Sequence, residues 1–271
     1  MNANRELWEK GDFTRIAATM RGSGEALVDG LGVGRGMRVL DLGCGDGTTA
    51  LPAAERGADV LGVDISAPLV AAAQERAAAA GLDNVRFQQG DASDLGDLGD
   101  EEFDLTLSVF GAMFAPRPYE VAKEMVRVTR PGGRIVMANW IPGDPTLVAQ
   151  ILKIAAAYTP PPPEGFVSPM TWGDEDEVID RFGAAGIDAA GVGFERATWA
   201  FDHAGTPEEL VGLFRDYYGP TMNAFAAAAA DGREAMLRAE LDALFAAQNR
   251  AADGGTEIAA TFLLVNVTRS P

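Results

Sequence analysis

The sequence predicts an α/β fold: a doubly wound, mostly parallel seven-stranded sheet whose last strand is antiparallel, with a helical cap inserted between the last two strands. Two observations predict it. Short β-rich runs alternate with helical segments as far as Trp140, which is typical of parallel sheets. The first run ends in a glycine loop at Gly43, and the second ends at Asp64, roughly 20 residues later, the length that one crossover helix needs.

The elements up to Trp140 are predicted in order from their apolar spacing and their ends. An aromatic, interrupted segment over residues 7–20 is expected to dock on the fold, and a helix follows over residues 22–31. Strands are predicted at residues 37–42, 59–63, 85–89, 103–109 and 134–140. Between them, helices begin at Thr48 or Thr49, at Ser66 and at Tyr119.

Beyond Trp140 the alternation is lost. A capping box at Thr206 and Glu209, with proline at the first helical position, opens a helical insertion. Four consecutive prolines, residues 160–163, predict a stiff extended spacer. We predict helices at 145–157, 175–185, 207–218, 221–230 and 233–249, and strands at 192–201 and 258–267, the last one after a turn at Asp253.

The chain is therefore expected to contain four segments. Residues 1–35 form an N-terminal docking segment and helix, and residues 36–201 form a cofactor-binding core. Residues 202–255 form the helical cap insertion, and residues 256–271 return to the core as its final strand.

Composition limits the partners. The chain is 47% hydrophobic, has no apolar run long enough to cross a bilayer, and begins without the basic-then-apolar build of a secretory signal, so we expect a cytoplasmic protein. A net charge of −18 disfavours nucleic acid and membrane surfaces. One cysteine and one histidine exclude an internal disulfide and a multi-cysteine metal site, and we expect no metal. A small molecule remains as the partner of a monomer or homodimer.

The glycine loop and two acids carry the chemistry. Gly43, Gly45 and Gly47 let the backbone approach a ligand closely, and Asp41 supplies a carboxylate at the end of the strand. The acid that closes the second strand suits a ribose diol. A dinucleotide site requires a small third position, where this chain has Thr48, so a nucleotide-dependent oxidoreductase is a disfavoured alternative.

Four motifs in order resemble those of the class I, Rossmann-like S-adenosylmethionine-dependent methyltransferases. The first follows Val39-Leu40-Asp41, and the resemblance extends from Gly36 to Trp140. The motifs are Leu42-Gly43-Cys44-Gly45-Asp46-Gly47, Gly62-Val63-Asp64-Ile65-Ser66, Gly90-Asp91-Ala92 and Ser108-Val109-Phe110-Gly111, and Arg130-Pro131-Gly132-Gly133-Arg134 resembles the turn into the fifth strand.

The resemblance implies S-adenosylmethionine as the cofactor. Gly43 and Gly45 would hold its methionine part, Asp64 its ribose and Asp91 its adenine. Arg15, in a Gly-Asp-aromatic-x-Arg-Ile-Ala run shared with the family, would pair with its carboxylate, or would be a surface residue of a docking helix. The predicted cofactor-binding residues are Arg15, Asp41, Gly43, Cys44, Gly45, Asp64, Ile65, Asp91, Ala92 and Ser108.

Methyl transfer requires alignment of the acceptor and exclusion of water rather than a nucleophilic side chain. Cys44 is expected to fill space in the loop, and His203 is the candidate imidazole base. Acceptor contacts are predicted from Phe110, Phe114, Trp140, Trp172, Tyr217 and Tyr218. The last two also fit the core stripe of a helix, which is the more common use of such residues.

The predicted function is methyl transfer from S-adenosylmethionine to an oxygen, nitrogen or carbon of a small organic metabolite under a helical lid. The fourth motif lacks an Asn/Asp-Pro-Pro-Tyr-type sequence, which argues against nucleic-acid and protein amide substrates. A non-catalytic protein that kept the cofactor loop is the second alternative. The acceptor's identity is not encoded in any pattern that we can interpret.

Overall fold

The computed structural model describes residues 3–252 and 254–270, so Asp253 of the predicted turn lies outside the described residues. The chain divides into two compact units. The helical unit comprises the described residues within 1–23, 142–166 and 198–261, and the sheet unit those within 24–141, 167–197 and 262–271. The finer division predicted at residues 36, 202 and 256 stays a prediction.

One seven-stranded sheet has the order β3-β2-β1-β4-β5-β7-β6. Its strands are β1 Arg38–Leu42, β2 Asp59–Asp64, β3 Val85–Gln89, β4 Phe103–Val109, β5 Thr129–Trp140, β6 Val192–His203 and β7 Thr256–Thr268. The first five pair in parallel, and β7 runs antiparallel to β5. The predicted fold class is confirmed.

Among the described residues, the helices are α1 Ala3–Glu9, α2 Thr14–Ala17, α3 Arg21–Gly30, α4 Ala50–Glu55, α5 Ala67–Ala79, α6 Pro118–Val128, α7 Leu147–Ala156, α8 Glu175–Ala184, α9 Pro207–Tyr217, α10 Gly219–Ala230 and α11 Glu234–Gln248. Each predicted helix is present, with ends shifted by one or two residues. None of the described helices is long and apolar enough to span a bilayer.

The sheet-unit core explains why the central strands carry mostly apolar residues. A parallel strand is covered on both faces, and Val39 to Leu42 are all buried. The alanines of α4 lie at the same core as Val39, Val60 and Leu105, where their small side chains let the helix approach the sheet closely. This packing fixes the position at which β1 ends and the glycine loop begins.

Two local predictions need correction. Strand β5 begins at Thr129 rather than after Gly133, because a register shift between β4 and β5 accommodates Pro131 and Gly132. Thr49 precedes α4 as predicted, but its side chain does not cap that helix. The capping box of Thr206 and Glu209 is confirmed, with both of its hydrogen bonds formed.

In the helical unit, the aromatic N-terminal segment packs on α9 and α10. The ring centroids of Trp8 and Phe13 lie 6.1 and 6.2 Å from that of Tyr218. A side chain at Gly11 would collide with the carbonyl oxygen of Tyr217, so the segment lies directly against the helix end. Tyr218 is thereby enclosed by aromatic rings.

Candidate functional site

The glycine loop after β1 contains two glycines with different surroundings. Both have left-handed backbone angles, φ +73° at Gly43 and +55° at Gly45. A Cβ at Gly43 would lie 2.6 Å from the Cα of Gly111, the residue that follows β4 and Phe110. A Cβ at Gly45 would meet no described atom within 4 Å. Gly43 therefore joins two loops, while Gly45 faces open space.

The backbone amides of this loop donate to groups of the protein itself. Gly43 and Cys44 both donate to the carbonyl oxygen of Val63, at 2.7 and 3.1 Å. Gly45 donates to Asp64 Oδ2 at 2.8 Å, and Gly47 donates to the carbonyl oxygen of Cys44 at 3.0 Å. A phosphate cradle needs such amides as donors to the ligand. The loop is thus poorly suited to a pyrophosphate.

Asp41 is buried at the end of β1 with only one oxygen engaged. Thr49 donates to Oδ2 at 2.6 Å, and Oδ1 has no hydrogen-bond partner among the described residues. Burial, against the hydrogen bond from Thr49 and together with the nearby charge of Asp64, raises the pKa of Asp41 to about 7. An unpartnered buried carboxylate oxygen is satisfied by a cationic hydrogen-bond donor.

Asp64 connects the end of β2 to the loop. Its Oδ2 accepts from Gly45 N, and its Oδ1 accepts from Ser66 N at 2.9 Å. Burial raises the pKa of Asp64, and these amide bonds act in the opposite direction. Ile65 follows it, half-buried. The carboxylate therefore shapes the loop in addition to the ribose role predicted for it.

Cys44 is buried inside the loop. Burial and the nearby carboxylates of Asp64, Asp41 and Asp46 raise the pKa of its thiol well above the usual value. A thiolate is therefore disfavoured. Asp46 is itself buried, 3.6 Å from Arg76. Three acids and one arginine give the loop a surplus of negative charge.

The loop after β3 carries Asp91 and Ala92, both half-buried. Asp91 Oδ1 accepts from the backbone amide of Ser93 at 2.9 Å and from its hydroxyl at 2.6 Å. This turn holds the carboxylate beside the end of the strand. Since β3 pairs with β2 in parallel up to Asp64, Asp91 follows at the same edge of the sheet.

Ser108 lies at the end of β4, and its hydroxyl is engaged inside the protein. It donates to the carbonyl oxygen of Leu42 at 2.6 Å and accepts from Ala112 N at 3.0 Å. Ser108 thus ties the end of β1 to the turn Ala112–Phe114, next to the contact between Gly43 and Gly111.

Three aromatic rings lie together where β4 and β5 end, the third coming from β7 at the position paired with Trp140. Phe110 stacks on Trp140 with ring centroids 3.6 Å apart, and Phe262 meets Phe110 edge-on at 5.5 Å. Phe110 has φ +55°, a costly conformation for a residue with a side chain. Phe114 is half-buried in the turn that follows. The strand ends therefore carry an apolar, aromatic surface.

The remaining predicted residues belong to other elements of the two units. Trp172 is buried in the sheet unit, in the turn Pro169–Gly173. In the helical unit, Arg15 pairs with Asp12 at 3.2 Å and lies 6.0 Å from the ring centroid of the half-buried Tyr217. Tyr218 is buried there, which raises the pKa of its hydroxyl, and His203 is half-buried at the end of β6.

Sequence reasoning missed three residues. Asn139 and Arg181 are buried polar residues of the sheet unit. Thr49 donates a hydrogen bond to Asp41. Asn139 sits in an apolar strand, which was an available signal, whereas Arg181 resembled an ordinary surface residue of an acidic helix. Among the described residues, no group of three or more His, Cys, Asp and Glu side chains could hold a metal ion.

Comparison with known proteins identifies the family. Residues 40–137 match the model of a methyltransferase domain. The protein Rv1403c of Mycobacterium tuberculosis is 37% identical over 223 residues, 82% of this chain and 79% of that protein. A phosphatidylethanolamine N-methyltransferase of Cereibacter sphaeroides is 37% identical over 125 residues, 46% of this chain and 61% of that protein.

Among solved structures, a putative methyltransferase from Bacillus halodurans has the same fold. It aligns with a TM-score of 0.61 at 17% identity, covering 92% of this chain and 100% of that one. The acidic, internally hydrogen-bonded loop, the open space at Gly45 and the unpartnered oxygen of Asp41 fit a cationic cofactor. The chain belongs to the class I S-adenosylmethionine-dependent methyltransferases, and S-adenosylmethionine is its cofactor.

Proposed function

We propose that this protein transfers a methyl group from S-adenosylmethionine to an oxygen, nitrogen or carbon atom of a small organic metabolite. The observation that carries the proposal is the glycine loop, whose amides at Gly43, Cys44 and Gly45 are used internally while buried carboxylates surround it. Such a loop attracts a cation and offers few donors to an anion.

The loop residues would divide the cofactor between them. Asp64 would accept from the ribose hydroxyls and Asp91 from the adenine amino group, with Ile65 and Ala92 beside them. Gly43 and Gly45 would leave room for the methionine part, and the free oxygen of Asp41 would accept from its ammonium group. The roles of Arg15, Cys44 and Ser108 at the cofactor stay predictions.

When bound, S-adenosylmethionine supplies an electrophilic methyl group on a sulfonium. The protein's task is then to position the acceptor in line and to exclude water. Phe110, Phe114 and Trp140 would provide an apolar surface for this at the strand ends. Contacts from Trp172, Tyr217 and Tyr218 and a base role for His203 stay predictions, as do a cytoplasmic location and a monomeric or homodimeric state.

The relative from Cereibacter sphaeroides is named for N-methylation of phosphatidylethanolamine, and its similarity covers 46% of this chain. It supports methyl transfer by the shared domain and leaves the acceptor of this chain open. The oxidoreductase alternative is disfavoured, because a dinucleotide requires loop amides that here donate to Val63 and Asp64.

The test is turnover with methyl-labelled S-adenosylmethionine and a pool of small metabolites. We expect label in a small-molecule product, and no label above background with the Asp64→Ala variant. Binding of S-adenosylhomocysteine without any labelled product would favour a non-catalytic protein. Tight binding of NAD(H) with none of S-adenosylhomocysteine would favour an oxidoreductase.

A further inference from the structure

Among the described residues, most buried polar atoms without partners belong to adjoining segments of the sheet unit. Among the described residues, eight buried side-chain nitrogen and oxygen atoms have no hydrogen-bond partner. Five of the eight belong to Asn139 (Oδ1 and Nδ2), Trp172 (Nε1) and Arg181 (Nε and Nη1). We call these three residues the Arg181 corner. Unpartnered buried groups are costly in native proteins, so a cluster of them indicates a missing ligand.

Contacts link Arg181 to Trp172 and place the turn that carries Trp172 against the end of β5, the strand that carries Asn139. The guanidinium carbon of Arg181 lies 4.7 Å from the ring centroid of Trp172. Arg181 Nη2 donates to Thr171 Oγ1 at 2.7 Å and to Glu177 Oε2 at 3.0 Å, while Nε and Nη1 find no acceptor in the part of the chain that the structure describes. The turn carrying Trp172 continues to Gly173, where a Cβ would lie 2.1 Å from the carbonyl oxygen of Trp140, next to Asn139.

The same contacts place the corner beside the cofactor loop. Gly43 touches Gly111, and Gly111 precedes the turn Ala112–Phe114. That turn packs against Pro169–Gly173, the turn that carries Trp172. The corner is therefore separated from the cofactor loop by one turn of chain, on the side where Phe110 and Trp140 stack.

The chemistry of the corner specifies its ligand. Four of the five unpartnered atoms are N–H donors, one residue is cationic, and Arg181 is only 1% exposed. Burial also lowers the pKa of Arg181, which a bound anion would counteract. Buried N–H donors on a guanidinium and on neighbouring side chains suit carboxylate or phosphate oxygens, and each free N–H of Arg181 can bind one oxygen.

We propose that Asn139, Trp172 and Arg181 bind an anionic group, a carboxylate or a phosphate, of the methyl acceptor. The inference rests on the proposed function, since it names the acceptor's chemical class. The acids around Cys44 repel such a group and the corner attracts it, so the two regions orient the acceptor with its anionic end away from the cofactor. Because the five atoms are closed to solvent, the turn Pro169–Gly173 must move outward as the anion enters.

The test uses the full chain saturated with S-adenosylhomocysteine and titrated calorimetrically with sodium phosphate and with sodium benzoate, against sodium chloride at equal ionic strength. We expect one of the two anions to bind, which distinguishes phosphate from carboxylate. Arg181→Met and Asn139→Leu should each weaken that binding at least about tenfold and leave S-adenosylhomocysteine affinity unchanged. If Arg181→Met does not fold, Arg181→Lys replaces it, since one ammonium group cannot place donors at both the Nε and the Nη1 positions.

Thermal unfolding separates a ligand role from a structural one. Asn139→Leu removes an amide that has no partner, so Tm should stay constant or rise. Asn84→Leu is the matched control, because the Asn84 amide donates to Ala54 and Ala58 carbonyl oxygens at 2.8 and 2.7 Å. It should lower Tm and leave anion binding intact.

Three results would overturn the inference. The first is that neither anion binds. The second is that both anions bind the Arg181 variants as tightly as they bind the natural chain. The third is that Asn139→Leu lowers Tm as much as Asn84→Leu does. Failure to bind S-adenosylhomocysteine would instead refute the proposed function. The anions would then be titrated into the ligand-free chain and judged by the same comparison of variants.

Discussion

The glycine loop and the Arg181 corner differ in how their buried polar atoms are hydrogen-bonded. In the loop, the amides of Gly43, Cys44 and Gly45 all have partners inside the protein, and one carboxylate oxygen of Asp41 has no hydrogen-bond partner among the described residues. In the corner, most unpartnered atoms are donors. A loop whose amides are all hydrogen-bonded within the protein is preorganised, and its negative charge favours a cationic ligand. A corner with free N–H donors favours a ligand that supplies hydrogen-bond acceptors.

The largest expected effect is on stability, and it differs between two glycines of the loop, Gly43 and Gly45. Gly43→Ala places a methyl group 2.6 Å from the Cα of Gly111 at a left-handed φ, and should lower the free energy of unfolding by about 4 kcal/mol. Gly45→Ala has the same backbone strain but open space, and should cost about 1 kcal/mol. Denaturant unfolding measures both.

For cofactor affinity, we expect the larger loss in Gly45→Ala, the variant that loses less stability. The methyl group of Gly45→Ala would occupy the open space, so S-adenosylhomocysteine should bind at least about tenfold more weakly by calorimetry. Equal losses of stability in the two variants, or unchanged affinity in Gly45→Ala, would mean that the space at Gly45 is not used by the cofactor.

The next effect concerns Asp41, whose Oδ1 atom has no hydrogen-bond partner among the described residues. Asp41 titrates near pH 7 when folded and near pH 4 when unfolded, so the folded state holds a proton that the unfolded state has lost across that window. Stability from this group is therefore present below pH 4 and is lost as the pH rises to about 7. Asp41→Asn should remove this slope and raise the free energy of unfolding at pH 8 by about 3 kcal/mol.

The same substitution should weaken cofactor binding, because the cation loses its carboxylate partner. In the natural chain, S-adenosylmethionine affinity should fall by up to about tenfold per pH unit below pH 7, as binding must expel the proton of Asp41. Asp97→Asn, at an exposed position, is the charge control and should reproduce neither effect. A stability profile of Asp41→Asn parallel to that of the natural chain would contradict the assignment.

The smallest effect concerns Asp64, which serves both the loop and the predicted ribose contact. Asp64→Asn leaves a donor facing Gly45 N or Ser66 N, and should weaken S-adenosylhomocysteine binding by about 2 kcal/mol. Asp104→Asn is the matched control, because Asp104 also accepts a backbone amide, that of Arg38 at 2.7 Å, near the start of β4. It should lower stability and leave the affinity unchanged.

Much of the fold could be predicted because local signals agreed with the tertiary structure. Strand β4 has its predicted bounds, since the apolar run of residues 103–109 is bordered by turn residues. Strand β5 starts earlier than predicted, because only pairing with β4 reveals that a register shift accommodates Pro131. Thr49 was expected to cap α4, but its hydroxyl donates to Asp41 instead. This bond joins the helix start to a buried strand end, and the spacing of residues along the chain does not encode it.

The sheet, the glycine loop and the family could be inferred from local sequence, because they depend on residue types at short, fixed spacings: glycines where φ is positive, an acid at a strand end, apolar runs of strand length. Which polar atoms of the described residues lack partners depends instead on tertiary packing. Asp41, Asn139 and Arg181 acquire that property from burial among residues far away in the chain. The cofactor is therefore encoded in local sequence, and the anionic acceptor that we infer depends on long-range packing.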